Sequence, residues 1–225
     1  MNTYNHIVIF SHGFGVRKDG RGLFTDIAAG LPQVKSVLFD YNEFDEQKNT
    51  LTIPPFSENS KRLDEIISRE KKMNPNAVID IVTHSQDAVI DALLSPTSIR
   101  RTIFIAPPLS WNIEKSLARY KKVLGAKINM SGVSILPRSD GSTTIIPREY
   151  WEERDRIVSP IALYNAVAET TDLIIIYANQ DSILSDEVTS GLSSNIRNIR
   201  LDGDHDFNGP ARPNLVRAVQ SIIGD

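Results

Sequence analysis

One serine stands where a strand-like run gives way to a helical pattern. Ser85 follows the apolar segment 78–82 and precedes the helical sequence 88–94. A serine on such a sharp strand-to-helix turn projects above the sheet, and the amide of the next residue, Gln86, can stabilise an oxyanion. The chain has no cysteine, which excludes a thiolate nucleophile. Ser85 is therefore the candidate nucleophile, and the chemistry that this turn favours is acyl transfer.

A glycine-containing loop after the first strand-like run could supply a second oxyanion donor. Residues 10–15 read FSHGFG, and the two glycines allow the backbone to turn sharply and present its amides. If this loop lies beside Ser85, the amide of Phe14 is the candidate donor. A plain glycine turn after a strand has the same sequence, so the motif has meaning only in its context.

Four histidines are available as a general base, and their positions distinguish them. His6 begins the first strand-like run, at the wrong end of the sheet. His84 is too near in sequence to turn back onto Ser85, and His12 is better placed to bind the backbone of its own loop. His205 lies in a loop between the last strand-like run and the last helical segment, where a base can reach the serine. His205 is therefore the candidate base.

An acid that orients the imidazole is expected at another strand end. Asp181 follows the apolar run 173–177 and precedes His205 in the chain. The acids at 186–187 resemble the first turn of a helix, where carboxylates interact favourably with the helix dipole. Asp155 is a weaker substitute. Asp181 is the candidate acid, and the order along the chain is serine, aspartate, histidine.

The elements that must position these residues are visible as an alternation of two patterns. Strands are predicted at 6–10, 34–39, 78–82, 102–105, 173–177 and 196–201, and helices near 20–30, 58–73, 86–95, 161–169 and 210–223. The middle runs lack polar alternation, which is typical of parallel strands buried on both faces. The pattern predicts an α/β fold with an open, mostly parallel sheet of about six strands and helices on both faces. Active sites in such sheets lie at the carboxyl ends of the strands.

The interval 107–160 interrupts this alternation. It contains both tryptophans, a Gly/Ser/Pro-rich middle that could form a hairpin around Asp140-Gly141, and 9 basic against 6 acidic residues. We interpret 107–160 as a small cap inserted into a single domain spanning 1–225. Trp111 and Trp151 are predicted to line an acyl pocket beneath it. The alternative is an additional surface layer that never contacts the substrate.

Composition narrows the class of partner. The 225 residues are 40% hydrophobic and 24% charged, as in a globular domain, and the net charge of -3 gives no cationic excess for nucleic acid. No apolar run is long enough to span a membrane and no signal-peptide pattern is present, so we expect a cytoplasmic protein. No feature indicates an oligomeric state. No cofactor or metal is predicted, and calcium binding by the loop 202–206 is a remote alternative.

The motifs together resemble the α/β-hydrolase superfamily. They occur in that family's order, each after a predicted strand: HGFG at 12–15, THSQ at 83–86, NQD at 179–181 and DGDHDF at 202–207. The resemblance covers essentially the whole chain and is most similar to small bacterial serine esterases of the feruloyl or cinnamoyl type. It implies hydrolysis of carboxylic esters with small or medium acyl groups, aromatic ones included, by Ser85, His205 and Asp181, without a cofactor. The same triad could instead serve a thioesterase, a carbon–carbon hydrolase or a lyase.

Asp87 departs from the family pattern, which has glycine at that position. A side chain there is expected to displace the start of the helix and with it the Gln86 amide. A carboxylate is also expected to oppose the oxyanion charge and to favour the protonated form of His205. The departure leaves open a catalytically weak or silent binding protein on the same fold.

Overall fold

The computed structural model describes residues 4–96, 98–184 and 189–224. Its strands are β1 (His6–Ser11), β2 (Lys35–Leu38), β3 (Glu43–Asp45), β4 (Thr50–Thr52), β5 (Val78–His84), β6 (Arg101–Ile105), β7 (Ser134–Pro137), β8 (Thr143–Ile146), β9 (Asp172–Ala178) and β10 (Arg197–Leu201). Its helices are α1 (Leu23–Ala29), α2 (Phe56–Met73), α3 (Asp87–Leu94), α4 (Ile113–Tyr120), α5 (Arg148–Arg156), α6 (Pro160–Ala168) and α7 (Arg212–Gly224), and a 3₁₀ turn (Gly209–Ala211) precedes α7.

The main sheet has six strands in the order β10-β9-β6-β5-β1-β2. Every neighbouring pair is parallel, with Ile9 opposite Val37 on one side of β1 and opposite Ile81 on the other. All six strands and the five helices predicted from periodicity are present, with ends shifted by at most three residues. The predicted α/β architecture is therefore confirmed, and the carboxyl ends of all six strands lie at one edge of the sheet.

Helices cover both faces of this sheet because the strands are apolar on both faces. Leu23 of α1 and Leu215 of α7 pack with Val8 on one face. On the other face, Leu63 of α2 packs with Ile9, and α3 lies between α2 and α6. Each fully buried aliphatic side chain of this kind contributes roughly 2 kcal/mol of transfer free energy. The sheet is thus a rigid base for the loops at its carboxyl edge.

A second, four-stranded sheet has the order β3-β4-β8-β7. Its β7–β8 hairpin turns at Asp140-Gly141, where Gly141 has a φ of +82°, a left-handed conformation that glycine adopts without steric cost. The predicted hairpin is therefore confirmed. The hairpin formed by β3 and β4 was not predicted, and it joins the second sheet because Leu51 pairs in parallel with Thr144.

We call the second sheet together with α4 and α5 the outer layer, residues 43–52 and 113–156. Most of it comes from the segment 107–160, between β6 and α6, but β3 and β4 come from outside that segment. The interpretation of 107–160 as a cap on one domain stays a prediction. Among the described helices, none combines the length and the apolar character needed to cross a bilayer.

Candidate active site

Ser85 occupies a strained turn between β5 and α3. Its φ is +58°, a left-handed conformation that is uncommon for any residue other than glycine and costs of order 1 kcal/mol. The turn is fixed because the Ser85 amide donates to the carbonyl of Ile105 at 2.8 Å, at the end of the neighbouring strand. Gln86 follows as the residue that caps α3. The sequence therefore places the serine at the strand-to-helix turn that its pattern predicted.

The loop after β1 lies directly against this turn. A Cβ atom added to Gly13 would be 3.2 Å from both the Ser85 Cβ and the carbonyl oxygen of His84, so a side chain there would crowd the turn and glycine favours this close approach. Phe14 and Gln86 both line the cleft beside the serine. Within the described part of the chain, neither of their amides makes a hydrogen bond. The structure thus brings together both amides that the sequence named as oxyanion donors, and their role stays a prediction.

Ser85, His205 and Asp181 form one chain of hydrogen bonds. The His205 Nε2 lies 2.8 Å from the Ser85 Oγ, and its Nδ1 lies 2.7 Å from the Asp181 Oδ2. Because a carboxylate can only accept, Nδ1 carries the proton and donates it to Asp181, and Nε2 is free to accept from the serine. Asp155 is exposed on α5, and the acids at 186–187 lie outside the described residues.

The environment of Asp181 favours its ionised form. Burial alone would raise its pKa, but the hydrogen bond with His205 and those from the amides of Ile183 and Leu184 outweigh burial and lower the pKa. Those two amides donate to the Oδ1 at 2.8 and 2.9 Å. The carboxylate is therefore held in one orientation as an acceptor, which is what an orienting acid requires.

The other histidines have structural partners. The His84 Nε2 donates to the carbonyl of His205 at 3.0 Å, and burial together with the neighbouring His205 ring lowers its pKa to about 4. His12 accepts from the Tyr41 amide at 3.0 Å and donates to the Gly13 carbonyl at 3.1 Å, while burial lowers its pKa. Both are therefore neutral near pH 7 and fix the loops that carry the site.

Asp87 is buried, in an environment that the sequence did not indicate, and its effect on catalysis stays a prediction. Its side chain is buried on the first turn of α3, and burial together with nearby Asp91 raises its pKa well above the usual range. A raised pKa favours the neutral acid, which lessens the expected charge against the oxyanion. Its volume does not prevent the turn from forming, because Ser85 still meets His205. Asp91 is buried beside it, accepts from Thr83 at 2.9 Å and has a pKa raised by burial to about 7.

A cleft of about 890 Å³ opens above the serine, between the sheet edge and the outer layer. Its walls combine site residues with apolar and aromatic side chains, among them Phe14, Gln86, Trp111, Tyr120, Leu136 and His205. Trp111 therefore lies where the sequence placed it. A cavity of this size accommodates a small or medium organic molecule.

Trp151 lies elsewhere, which corrects its predicted role in substrate binding. Its side chain is 1% exposed, donates from Nε1 to the Ser134 Oγ at 3.1 Å, and does not line the cleft. The physical reason is the orientation of α5, which turns this position inward against β7. The same helix instead directs Tyr150 and Arg154 at Gln86, whose Oε1 accepts from them at 2.6 and 3.3 Å. The sequence indicated Tyr150 as a candidate pocket residue but missed Arg154, although their i, i+4 spacing indicates a common helix face.

One group of potential metal ligands is present among the described residues. Ligand atoms of His84, His205 and Asp206 lie within 4.8 Å of one another. His205 and His84 are already engaged in the hydrogen bonds given above, so this group overlaps the hydrogen-bonded site. In the loop considered for calcium, Asp202 accepts from side-chain amides and Asp204 from the residue four positions later. These carboxylates stabilise the loop that carries His205.

No protein-family model matches the chain, and no curated protein matches it by sequence. Solved structures do match. Est1E from Butyrivibrio proteoclasticus with ferulic acid bound has a TM-score of 0.71 at 15% identity, over 98% of this chain and 88% of that one. The Pyrococcus furiosus esterase Pf2001 has a TM-score of 0.70 at 13% identity, over 98% and 82%. The α/β hydrolase GrgF from a Penicillium species has a TM-score of 0.69 at 13% identity, over 98% and 90%. The chain therefore has the α/β-hydrolase fold.

Proposed function

We propose that this chain is a serine hydrolase that cleaves carboxylic esters through an acyl-enzyme on Ser85. The observation that carries the proposal is the continuous hydrogen-bonded chain from Asp181 through His205 to the Ser85 Oγ, with distances of 2.7 and 2.8 Å. Two unengaged amides beside the serine, on Phe14 and Gln86, add the second requirement of acyl transfer, a site for an oxyanion.

The acylation step follows from the protonation states of these groups. The His205 Nε2 accepts the Ser85 proton as the Oγ attacks the ester carbonyl, and Asp181 stabilises the imidazolium that forms. The amides of Phe14 and Gln86 donate to the carbonyl oxygen as it becomes negative. When the tetrahedral intermediate collapses, the carbon–oxygen bond to the alcohol breaks and Nε2 returns its proton to the departing alkoxide.

Deacylation repeats the same steps with water. The His205 Nε2 accepts a proton from a water molecule whose oxygen attacks the acyl carbonyl, and the same amides hold the second oxyanion. Collapse breaks the bond between the acyl carbon and the Ser85 Oγ, and Nε2 returns the proton to the serine. The products are one carboxylic acid and one alcohol, with no cofactor required.

We further propose that the acyl group is small or medium in size, aromatic groups included. The cleft of about 890 Å³ presents the rings of Phe14, Trp111 and Tyr120 near the serine. Aromatic walls favour apolar and aromatic acyl groups by burial and edge or face contacts. The ferulic acid bound to the structural neighbour Est1E is itself an aromatic acid, which agrees with this size class.

A fluorophosphonate probe provides the direct test, since it reacts only with an activated serine. We expect the wild-type chain to be labelled, and mass spectrometry to locate the adduct on the peptide containing Ser85. The variant Ser85→Ala should lose labelling and reduce hydrolysis of p-nitrophenyl hexanoate by about 10⁴- to 10⁶-fold. A wild-type chain that is not labelled contradicts the proposal. So does a Ser85→Ala variant that keeps more than about a tenth of the wild-type turnover.

A matched panel then separates the ester reaction from its alternatives. The hexanoyl ester, thioester and amide differ only in the leaving atom, so their kcat/KM values rank the reaction class directly. A preference for the thioester beyond its intrinsic reactivity would reassign the chain as a thioesterase. A chain labelled by the probe but inactive on all three would point to carbon–carbon bond cleavage. A chain that is neither labelled nor active would be a binding protein.

A further inference from the structure

The cleft contains a buried arginine without an ionic partner among the described residues. Arg154 on α5 is 6% exposed and lines the cleft. Its Nη1 donates to the Gln86 Oε1 and the Tyr150 hydroxyl at 3.3 Å each, and its Nη2 donates to the Ser116 Oγ at 2.8 Å. The guanidinium also stacks on the Trp111 ring, 4.3 Å from its centroid. All of these partners are neutral.

One donor of this guanidinium has no partner at all within the described chain. The Arg154 Nε is buried and makes no hydrogen bond. A buried cation without a counterion is unfavourable, and an unsatisfied buried N–H adds to the cost. Natural sites retain such a group where a ligand supplies the missing charge and acceptor. A carboxylate fits best, because the Arg154 Nη2 has a second N–H besides the one donated to Ser116 and can donate it to a carboxylate oxygen in a charge-assisted hydrogen bond.

The surrounding charge supports an anionic ligand. Six cationic side chains line the cleft among the described residues: Arg21, Lys115, Arg119, Lys122, Arg138 and Arg154. The single described acid in the lining is Asp206, and its Oδ2 lies 3.6 Å from the Arg21 Nη1. The overall chain is acidic, so this concentration of positive charge is local to the cleft. Such a field raises the local concentration of anions.

Arg138 brings a second cation to the oxyanion loop. Its Nη1 lies 2.9 Å from the position that a Cβ of Gly15 would occupy, next to Phe14. Burial and the nearby Arg21 lower its pKa. Its guanidinium also interacts electrostatically with the carboxylates of Asp140 and Asp206, which partly offset the effects of burial and of Arg21. Arg138 therefore lies beside Phe14, and Arg154 lies beside Gln86, the other predicted oxyanion donor.

The contacts of Arg154 also indicate which half of the ester carries the charge. The alcohol leaves on the side of His205, because Nε2 donates the proton to it. Arg154 instead contacts the side chain of Gln86, which is on the oxyanion side, and the Trp111 ring on the cleft wall. We assign a group bound there to the acyl half, which stays attached to Ser85 through the reaction, and an ester with its carboxylate on the alcohol half tests this assignment.

We propose that the cleft takes monoesters of dicarboxylic acids, whose acyl group ends in a free carboxylate that Arg154 binds. The inference rests on the proposed hydrolase function and adds the charge of the acyl group to it. Arg138 and the other cations of the cleft attract the substrate, while Arg154 determines the position of its carboxylate. The product is a dicarboxylate, which the same arginine retains until release.

Matched esters test this preference in the wild-type chain. The p-nitrophenyl monoester of adipic acid and p-nitrophenyl hexanoate have the same chain length and leaving group and differ by the terminal carboxylate. We expect kcat/KM to be at least about tenfold higher for the adipate monoester, as for a charge-assisted hydrogen bond. A third ester, 4-(hexanoyloxy)benzoate, places the carboxylate on the alcohol half. A ratio near one, or a preference for the third ester, overturns the proposal.

Arginine variants then locate the preference. Arg154→Gln should lower the ratio of adipate to hexanoate kcat/KM by about tenfold to a hundredfold, and Arg154→Lys should restore part of it. The matched control is Arg148→Gln, an exposed arginine on the same helix that pairs with Glu152 at 2.6 Å. The ratio in Arg148→Gln should equal that of the wild type. An unchanged ratio in Arg154→Gln contradicts the assignment to this residue.

A binding measurement keeps the test independent of activity. In the Ser85→Ala chain, monomethyl adipate at neutral pH should raise the Tm more than uncharged methyl hexanoate does at the same concentration. Equal shifts contradict the carboxylate site. Loss of the proposed function has a different signature, because it would appear as absent probe labelling or absent hydrolysis of every ester while this difference in Tm persists.

Discussion

The carboxyl edge of the main sheet and the outer layer above it are built in different ways. At the edge, Ser85, Asp181 and His205 each follow a strand of the parallel sheet by a few residues. The outer layer instead joins distant parts of the chain, since β4 at 50–52 pairs with β8 at 143–146. The edge is thus specified by local sequence, and the outer layer by long-range pairing.

The two regions also differ in how their charges are satisfied. At the edge, Asp181 accepts from His205 and from two amides, so the group is complete without a ligand. In the outer layer, Arg154 is buried among neutral partners with one donor unused. The hydrogen-bonded group at the edge is thus preorganised, whereas Arg154 in the outer layer keeps one donor without an acceptor among the described residues.

The largest effect is expected from variants that remove the base or its acid at the carboxyl edge of the sheet. His205→Ala removes the base, and Asp181→Asn removes the acceptor that fixes its tautomer, so we expect kcat/KM on p-nitrophenyl hexanoate to fall by about 10³-fold or more in each. His6→Asn is the matched control, because His6 binds Asp80 at 2.7 Å at the far end of the sheet. If His205→Ala kept its activity while His12→Ala lost it, the proposed base would be wrong.

The next effect separates the two tryptophans of the outer layer. Trp151→Ala leaves a cavity in a buried site, so we expect the free energy of unfolding in urea to fall by about 3–5 kcal/mol. Trp111→Ala opens the cleft wall, so it should change the ranking of acyl groups in kcat/KM more than it lowers the rate on p-nitrophenyl acetate. An equal loss on every substrate in Trp111→Ala would assign that residue a structural role as well.

A smaller effect is expected from Asp91, the second buried acid on α3. The pKa of Asp91 is about 7 in the folded chain, against 3.8 for an aspartate in water. Because the folded pKa is raised, its stabilising contribution is complete below pH 3.8 and is lost as pH rises through about 7. The Tm of Asp91→Asn minus that of the wild type should therefore increase from pH 5 to pH 8. Asp64→Asn, on the exposed face of α2, serves as the control and should show a constant difference.

The smallest expected effect concerns Asp87. Because burial raises its pKa and the neutral acid is favoured, Asp87→Asn should leave the turnover of ester near pH 7 within about threefold of the wild type. Steady-state kinetics of Asp87→Asn and Asp87→Gly on one ester make the comparison. A tenfold rise in Asp87→Asn would show that the carboxylate is charged in the working enzyme, on the scale of one lost oxyanion donor. A rise in Asp87→Gly alone would assign the limitation to side-chain volume.

The sequence was sufficient for the main sheet and for the placement of Ser85, Asp181 and His205 at its edge. Strands buried on both faces leave continuous apolar runs, and in a parallel sheet every such run ends at the same edge. A serine, an aspartate and a histidine that each follow a run must therefore meet there, and Ser85, Asp181 and His205 do. The prediction required only local patterns and one topological rule.

The tertiary structure decided what depends on burial and on distant neighbours. β3 and β4 have three residues each, too few for a periodic pattern, and they are defined by pairing with each other and by the pairing of β4 with β8. Trp151 lies inside and Trp111 on the cleft because of how α5 and the segment before α4 pack, which composition cannot indicate. The raised pKa of Asp87 and the cost of leaving Arg154 without a counterion both arise because those side chains are removed from water. Removal from water is a property of the whole packed fold, whereas a strand or a turn is encoded in a few consecutive residues.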